Sequence, residues 1–159
     1  MRARGIVIHC SASRGGDADD ITAWHRMRGF GRYDPITGRR YCIGYHAVIL
    51  NGHRHIGSQY ERALDGKIEP GRPDYLQGAH CAAEAMNLKA LGVCIIGNPG
   101  WPGYFTERQK SALIHYLSVK CWANDIPVSA ITQHSDHDWR KPVCASLDLT
   151  ALRELVTAT

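Results

Sequence analysis

Residues 91–97 read L-G-V-C-I-I-G, a continuous apolar run bounded by glycines. Such a run fits a strand buried on both faces, and a strand of that kind needs covering layers above and below it. Flanking segments supply candidates for those layers. Thr106 and Gln109 are spaced as a capping box, which predicts a helix from there to about residue 123. Leu113, Leu117 and Cys121 recur every four residues along it, with Tyr116 alongside, as a core face does. A second helix is predicted over 21–28, capped by Asp19 or Asp20, with Trp24 and Met27 three apart and Gly29 as its stop. A final helix runs through Leu149, Leu152, Leu155 and Val156, capped by Asp148 or Ser146.

Strands are predicted over 5–10, 45–50 and 128–132. After 45–50, two turn signals compete for the return strand: Asn51-Gly52, and Asp65-Gly66 followed by the strand-like K-I-E. Residues 30–40, 70–79 and 98–103 read as loops. The order β-α-β-β-β-α-β-α, without repeats or a linker, predicts one α/β domain over 1–159, with a central mixed sheet flanked by helices. At 159 residues the chain can bury about two-thirds of its unfolded surface.

The net charge of +4 fits either an anionic partner or simple solubility. No block of Lys/Arg alternates with aromatics, so nucleic-acid binding has no support. The N-terminus has only three consecutive aliphatics, against an apolar run of about 7–15 for a secretory signal and about 20 for a membrane span. Synthesis in the cytoplasm, action on any external target only after release, and no stable membrane association are expected. The six cysteines form no C-x-x-C pair and read as reduced thiols, Cys94 and Cys121 as small core residues.

The densest chemistry lies in 133–146, Q-H-S-D-H-D-W-R-K-P-V-C-A-S. Two histidines, two aspartates, a lysine and a cysteine within fourteen positions suit metal binding better than a core. Catalytic zinc takes three protein ligands and keeps a fourth position open. His134 and Cys144 qualify, joined by His9 at the end of the first strand. His137 could replace His134, and a nearby aspartate could orient a ligand imidazole. Zinc chemistry would then need a proton-handling group and an oxyanion donor, for which Tyr45, Lys141 and His80 stand near predicted strand ends.

Six ordered segments resemble the zinc-dependent N-acetylmuramoyl-L-alanine amidases of the bacteriophage-lysozyme type, relatives of the peptidoglycan recognition proteins. They are I-V-I-H-C-S-A-S, G-Y-H, D-G-K-I-E-P-G-R, G-A-H, N-L-K-A-L-G-V-C-I-I-G, and Q-H-S-D with R-K-P-V-C-A-S, spanning about 6–148. The resemblance implies zinc ligands at His9, His134 and Cys144, an active-site tyrosine at Tyr45 and a substrate-binding histidine at His80. The family lysine usually stands two residues before the last ligand; here that position is Pro142, and Lys141 is one step further away. The resemblance also favours 67–69 as the return strand, leaving about 51–64 as an addition. It implies a monomeric peptidoglycan hydrolase, a phage or prophage endolysin. The alternatives are a cytoplasmic amidase recycling soluble muropeptides and a non-hydrolytic muropeptide-binding module.

Overall fold

The computed structural model describes residues 1–100 and 104–159; the expected loop at 98–103 therefore lies partly outside the described residues. Strand β1 (Gly5–Cys10) is followed by helix α1 (Ala18–Met27) and a two-strand ribbon, β2 (Arg32–Tyr33) with β3 (Arg40–Tyr41). Then come β4 (Ala47–His53), β5 (Tyr60–Pro70), the short helix α2 (Met86–Lys89), β6 (Ala90–Ile95), α3 (Glu107–Asn124), β7 (Ile131–Gln133) and α4 (Leu149–Thr157). The main sheet has the order β5-β4-β6-β1-β7. Only β4 with β5 is antiparallel; β4–β6, β6–β1 and β1–β7 are parallel. The expected mixed α/β sheet is the observed one.

Strand β6 lies in the middle, and every residue from Ala90 to Ile95 is buried. Alternation along β1 and β6 divides the core. Ile6, Ile8, Leu91, Val93 and Ile95 pack with Leu113, Tyr116 and Leu117 of α3 on one face. Val48, Leu50, Cys94 and Ile96 pack with Ile21 of α1 on the other. The capping box of α3 forms as predicted, and its Gln109 is completely buried. The Gln109 amide donates to the carbonyls of Ile49 (3.2 Å) and Ile96 (2.8 Å), tying the helix start to two strand ends.

Four local expectations change. Asp17, not Asp19 or Asp20, caps α1: its carboxylate accepts the amides of both. The buried face of α1 is Ile21 and His25, while Met27 is 87% exposed. The last strand starts at Ile131 rather than 128, because Val128–Ala130 winds into a 3-10 turn after Pro127 and pairing with β1 begins at Ile6. Neither Asn51-Gly52 nor Asp65-Gly66 is a hairpin turn. Both sit inside the β4–β5 pair, where Asn51 faces Asp65 across register shifts. Gly52 and Gly66 have φ of +87° and +79°, the positive values that a β-bulge demands as much as a tight turn does. The strands continue past them, so residues 51–64 lengthen the hairpin. Residues 67–69 do form part of the return strand.

Candidate active site

Parallel strands β1 and β7 end side by side, so their C-terminal ends deliver His9 and then His134 to one edge of the sheet. The loop after β7 folds back through turn hydrogen bonds, Lys141 N–H to Asp138 O (2.8 Å) and Cys144 N–H to Lys141 O (3.0 Å). That fold returns Cys144 to β1. One ligand atom from each of His9, His134 and Cys144 lies within 4.8 Å of the other two. The three sit beside a cavity of about 610 Å³, whose lining includes Tyr45, His80, His134, Lys141 and Cys144.

His9 is 1% exposed and its ring nitrogen Nε2 lies 3.0 Å from His80 Nδ1. The tautomers follow from the next link. His80 Nε2 is 3.1 Å from the carbonyl of Ala90, which can only accept. His80 therefore carries its proton on Nε2, and Nδ1 accepts from His9 Nε2–H. His9 is left with Nδ1 as its only lone pair for a cation. Burial holds His80 neutral, its pKa lowered to about 3, and burial together with His80 and His134 lowers His9 well below its ordinary value. Asn87, at α2, fixes this arrangement: its Oδ1 accepts from His80 N (2.7 Å) and Cys81 N (2.8 Å). Gly92 provides the room, because a Cβ there would meet the His80 ring at 2.4 Å.

His137 does not join the cluster. Its Nδ1 pairs with Glu84 (2.9 Å) and its Nε2 with the Thr132 hydroxyl (2.9 Å). Asp136 accepts from Gln133 N, and Asp138 holds Arg140 through both carboxylate oxygens. Among the described residues no aspartate is hydrogen-bonded to the His134 ring; Asp138 acts on it only through space, opposing the lowering caused by burial.

Tyr45 packs its ring 5.1 Å from both His9 and His25. Burial raises its pKa, and the neighbouring thiols of Cys94, Cys144 and Cys10 raise it further. It is a hydrogen-bond donor here, not a base. Lys141 is exposed on the cavity wall, and its charge helps to lower the His134 pKa after burial has done so.

Two residues that the motifs did not single out also belong to the site. His25 accepts the Gly44 amide on Nδ1 (2.8 Å), is held neutral by burial with a pKa near 4, and lines the cavity below Tyr45. Cys10 brings its sulfur to 4.0 Å from that of Cys144. Hydrogen bonding within this pair draws Cys10 down to about 6 and, with burial, pushes Cys144 up. One proton is thus easily lost from the two thiols.

The donor set fits zinc: two imidazoles and a thiol whose ligand atoms converge, one of the imidazoles already committed through its second nitrogen. A family model described as N-acetylmuramoyl-L-alanine amidase matches residues 1–144. The chain belongs to that family. Among solved structures, this amidase resembles the N-acetylmuramoyl-L-alanine amidase LysC from Clostridium intestinale, with a TM-score of 0.74 at 22% identity over 99% of this chain and 87% of that one. AmpDh3 from Pseudomonas aeruginosa, solved with an anhydromuramic pentapeptide, gives a TM-score of 0.66 at 17% identity, covering 98% of this chain and 60% of that one. Drosophila PGRP-LB gives 0.63 at 20% identity, covering 94% and 78%. A search of curated protein sequences gave no match. Among the described residues no helix is long and apolar enough to cross a membrane.

Proposed function

We propose that this amidase uses zinc, held by His9, His134 and Cys144, to hydrolyse the amide between N-acetylmuramic acid and L-alanine in peptidoglycan. The observation that carries the reading is the convergence of those three ligand atoms within 4.8 Å beside an open cavity, in a chain whose family model is an amidase. Zinc in such a site would act as a Lewis acid on the lactyl carbonyl and make water acidic enough to attack near neutral pH.

The chain's own residues do the rest. His80 holds the His9 ring in the tautomer that binds a cation. Tyr45, kept protonated by its setting, donates a hydrogen bond that positions the attacking water. Lys141, on the loop between the two late ligands, stabilises charge developing on the carbonyl oxygen. His80 also borders the bound muramyl peptide at the cavity wall. Release to the wall as a phage or prophage endolysin is the setting we favour, by likeness to endolysin amidases.

Two measurements test this together: metal analysis of the purified protein, and the end groups released from peptidoglycan. One bound zinc per chain and new L-alanine amino termini without new reducing sugars are expected. New reducing ends would mean a glycosidase and overturn the reading. Rates on intact sacculi against soluble muropeptides separate a lytic enzyme from a recycling one.

A further inference from the structure

The net charge of +4 is not spread over the molecule. Residues 26–41 contain five of the 19 Lys/Arg and one of the 15 Asp/Glu, so the remaining fourteen of each cancel and the whole excess lies in this segment. All five arginines, Arg26, Arg28, Arg32, Arg39 and Arg40, are exposed, and among the described residues none forms an ion pair. The single acid, Asp34, is 1% exposed and turned inward. It accepts from Ile36 N, the Thr37 hydroxyl and the Tyr75 hydroxyl, which fixes the β2–β3 turn while leaving the cations unneutralised.

The ribbon also organises them. Arg39 lies over the ring of Tyr41 at 4.8 Å and Arg40 over that of Tyr33 at 6.0 Å, and Tyr33 is 68% exposed. Stacked guanidinium groups keep their forked edges free for a planar anion. The segment runs into the active site, because Arg28 and Phe30 line the cavity.

We infer that the β2–β3 ribbon is a second contact for the polymer itself, binding carboxylates of stem peptides beyond the one being cut, with the tyrosine faces against sugar rings. The inference rests on the peptidoglycan reading above. It is favoured over other polyanions by continuity with the cavity, since the chain passes from Arg28 and Phe30 on the cavity wall straight into the ribbon at Arg32. Each guanidinium pairs with a carboxylate bidentately, and exposed pairs of this kind are weakened by salt.

The test compares the zinc-loaded wild type with the triple variant Arg32→Gln/Arg39→Gln/Arg40→Gln, which leaves the cavity-lining Arg28 in place. Brief pelleting with purified sacculi at low salt is expected to fall about tenfold in the variant. The wild type should lose a similar factor when salt is raised. Hydrolysis of a small soluble muramyl peptide should stay within about twofold. Converting the sacculus carboxylates to amides should remove the difference between the proteins. Equal pelleting of the two proteins overturns the inference. So does a difference that survives amidation, or one seen with phosphatidylglycerol vesicles but not with sacculi, which would point to a membrane surface. A wild type that cleaves neither sacculi nor soluble peptide refutes the amidase reading instead, and the pelleting comparison still reads the ribbon.

Discussion

His80 accepts a hydrogen bond from His9 Nε2–H across 3.0 Å and donates its own Nε2–H to the Ala90 carbonyl, so a backbone carbonyl on β6 sets which nitrogen of His9 faces His134 and Cys144. Residues that orient a metal ligand typically change affinity by about 10- to 100-fold when removed. His80→Ala should weaken zinc binding by that order, measured by competition with a chromophoric chelator. Metal affinity within twofold of wild type would show that His80 is a wall residue and not a positioning one.

How much of this was readable beforehand depended on range. The α3 helix was legible because its cap, Thr106 with Gln109, is local and its apolar face repeats. Strand β6 was legible because burial on both faces leaves an unbroken apolar run. The bulges were misread because Asn-Gly and Asp-Gly supply positive φ, and nothing local says whether the chain then turns or continues. The role of His25 was hidden because its partner Gly44 lies 19 residues away, and that of His80 because His9 lies 71 residues away. His134 and Cys144 stood out because they share one dense polar segment, and His9 because it ends a strand, and the motif resemblance then joined them; the long separation of His9 from the other two carries no signal of its own.

Four buried histidines make the fold sensitive to acid. His9, His25, His46 and His80 are all at most 8% exposed and all have lowered pKa values, about 4 for His25 and about 3 for His80, with burial the leading cause. The unfolded chain takes up their protons near the reference value of about 6.5, while the folded chain does not. Their contribution is therefore complete above pH ~6.5 and is lost as pH falls through the window down to the folded pKa values. His25 and His80, with folded values of about 4 and about 3, each lose on the order of 1 kcal/mol by pH ~5.5. The Tm of metal-free protein should drop steadily between about pH 7 and 5. A flat profile there would falsify the assignment of neutral, buried imidazoles.

Lys141 and Tyr45 are assigned to catalysis and not to metal binding, so their variants should separate rate from metal content. Removing a single oxyanion donor typically costs about 10²–10³ in kcat. Lys141→Met should lose about that factor, and Tyr45→Phe about tenfold or more, each with one zinc per chain retained. Should Lys141→Met keep full turnover, the cation at the loop is a rim charge and the oxyanion is held by another donor.

Gln109 gives a stability prediction independent of the chemistry. Its amide satisfies the carbonyls of Ile49 and Ile96, and its carbonyl oxygen accepts the Thr106 amide at 3.0 Å. Gln109→Leu keeps the volume but removes the capping box and leaves the buried Ile96 carbonyl without its donor, while the Ile49 carbonyl still accepts the Ile96 amide at 2.9 Å; an unsatisfied buried group costs roughly 1–3 kcal/mol. Urea unfolding should show a loss of about 2–4 kcal/mol with an unchanged m-value. A smaller loss would mean that water enters at the start of α3.

The sulfurs of Cys10 and Cys144 stand 4.0 Å apart, and hydrogen bonding between them brings Cys10 to a pKa of about 6. A disulfide needs its sulfurs at about 2.05 Å, so the pair must close by about 2 Å to form one. A thiolate in this pair can attack an added disulfide such as oxidised glutathione, and the second thiol then displaces the bound glutathione. The chain loses two thiols and the reagent gains two. Metal-free protein should therefore form a Cys10–Cys144 bond, seen by peptide mass mapping, and lose zinc binding until reduced. Bound zinc should protect against it by occupying the Cys144 thiolate. Cys10→Ser should resist the oxidation and keep its zinc affinity, because the serine removes the partner sulfur and leaves all three ligands in place. Zinc loss in Cys10→Ser as large as in the oxidised wild type would show instead that Cys10 supports the metal directly.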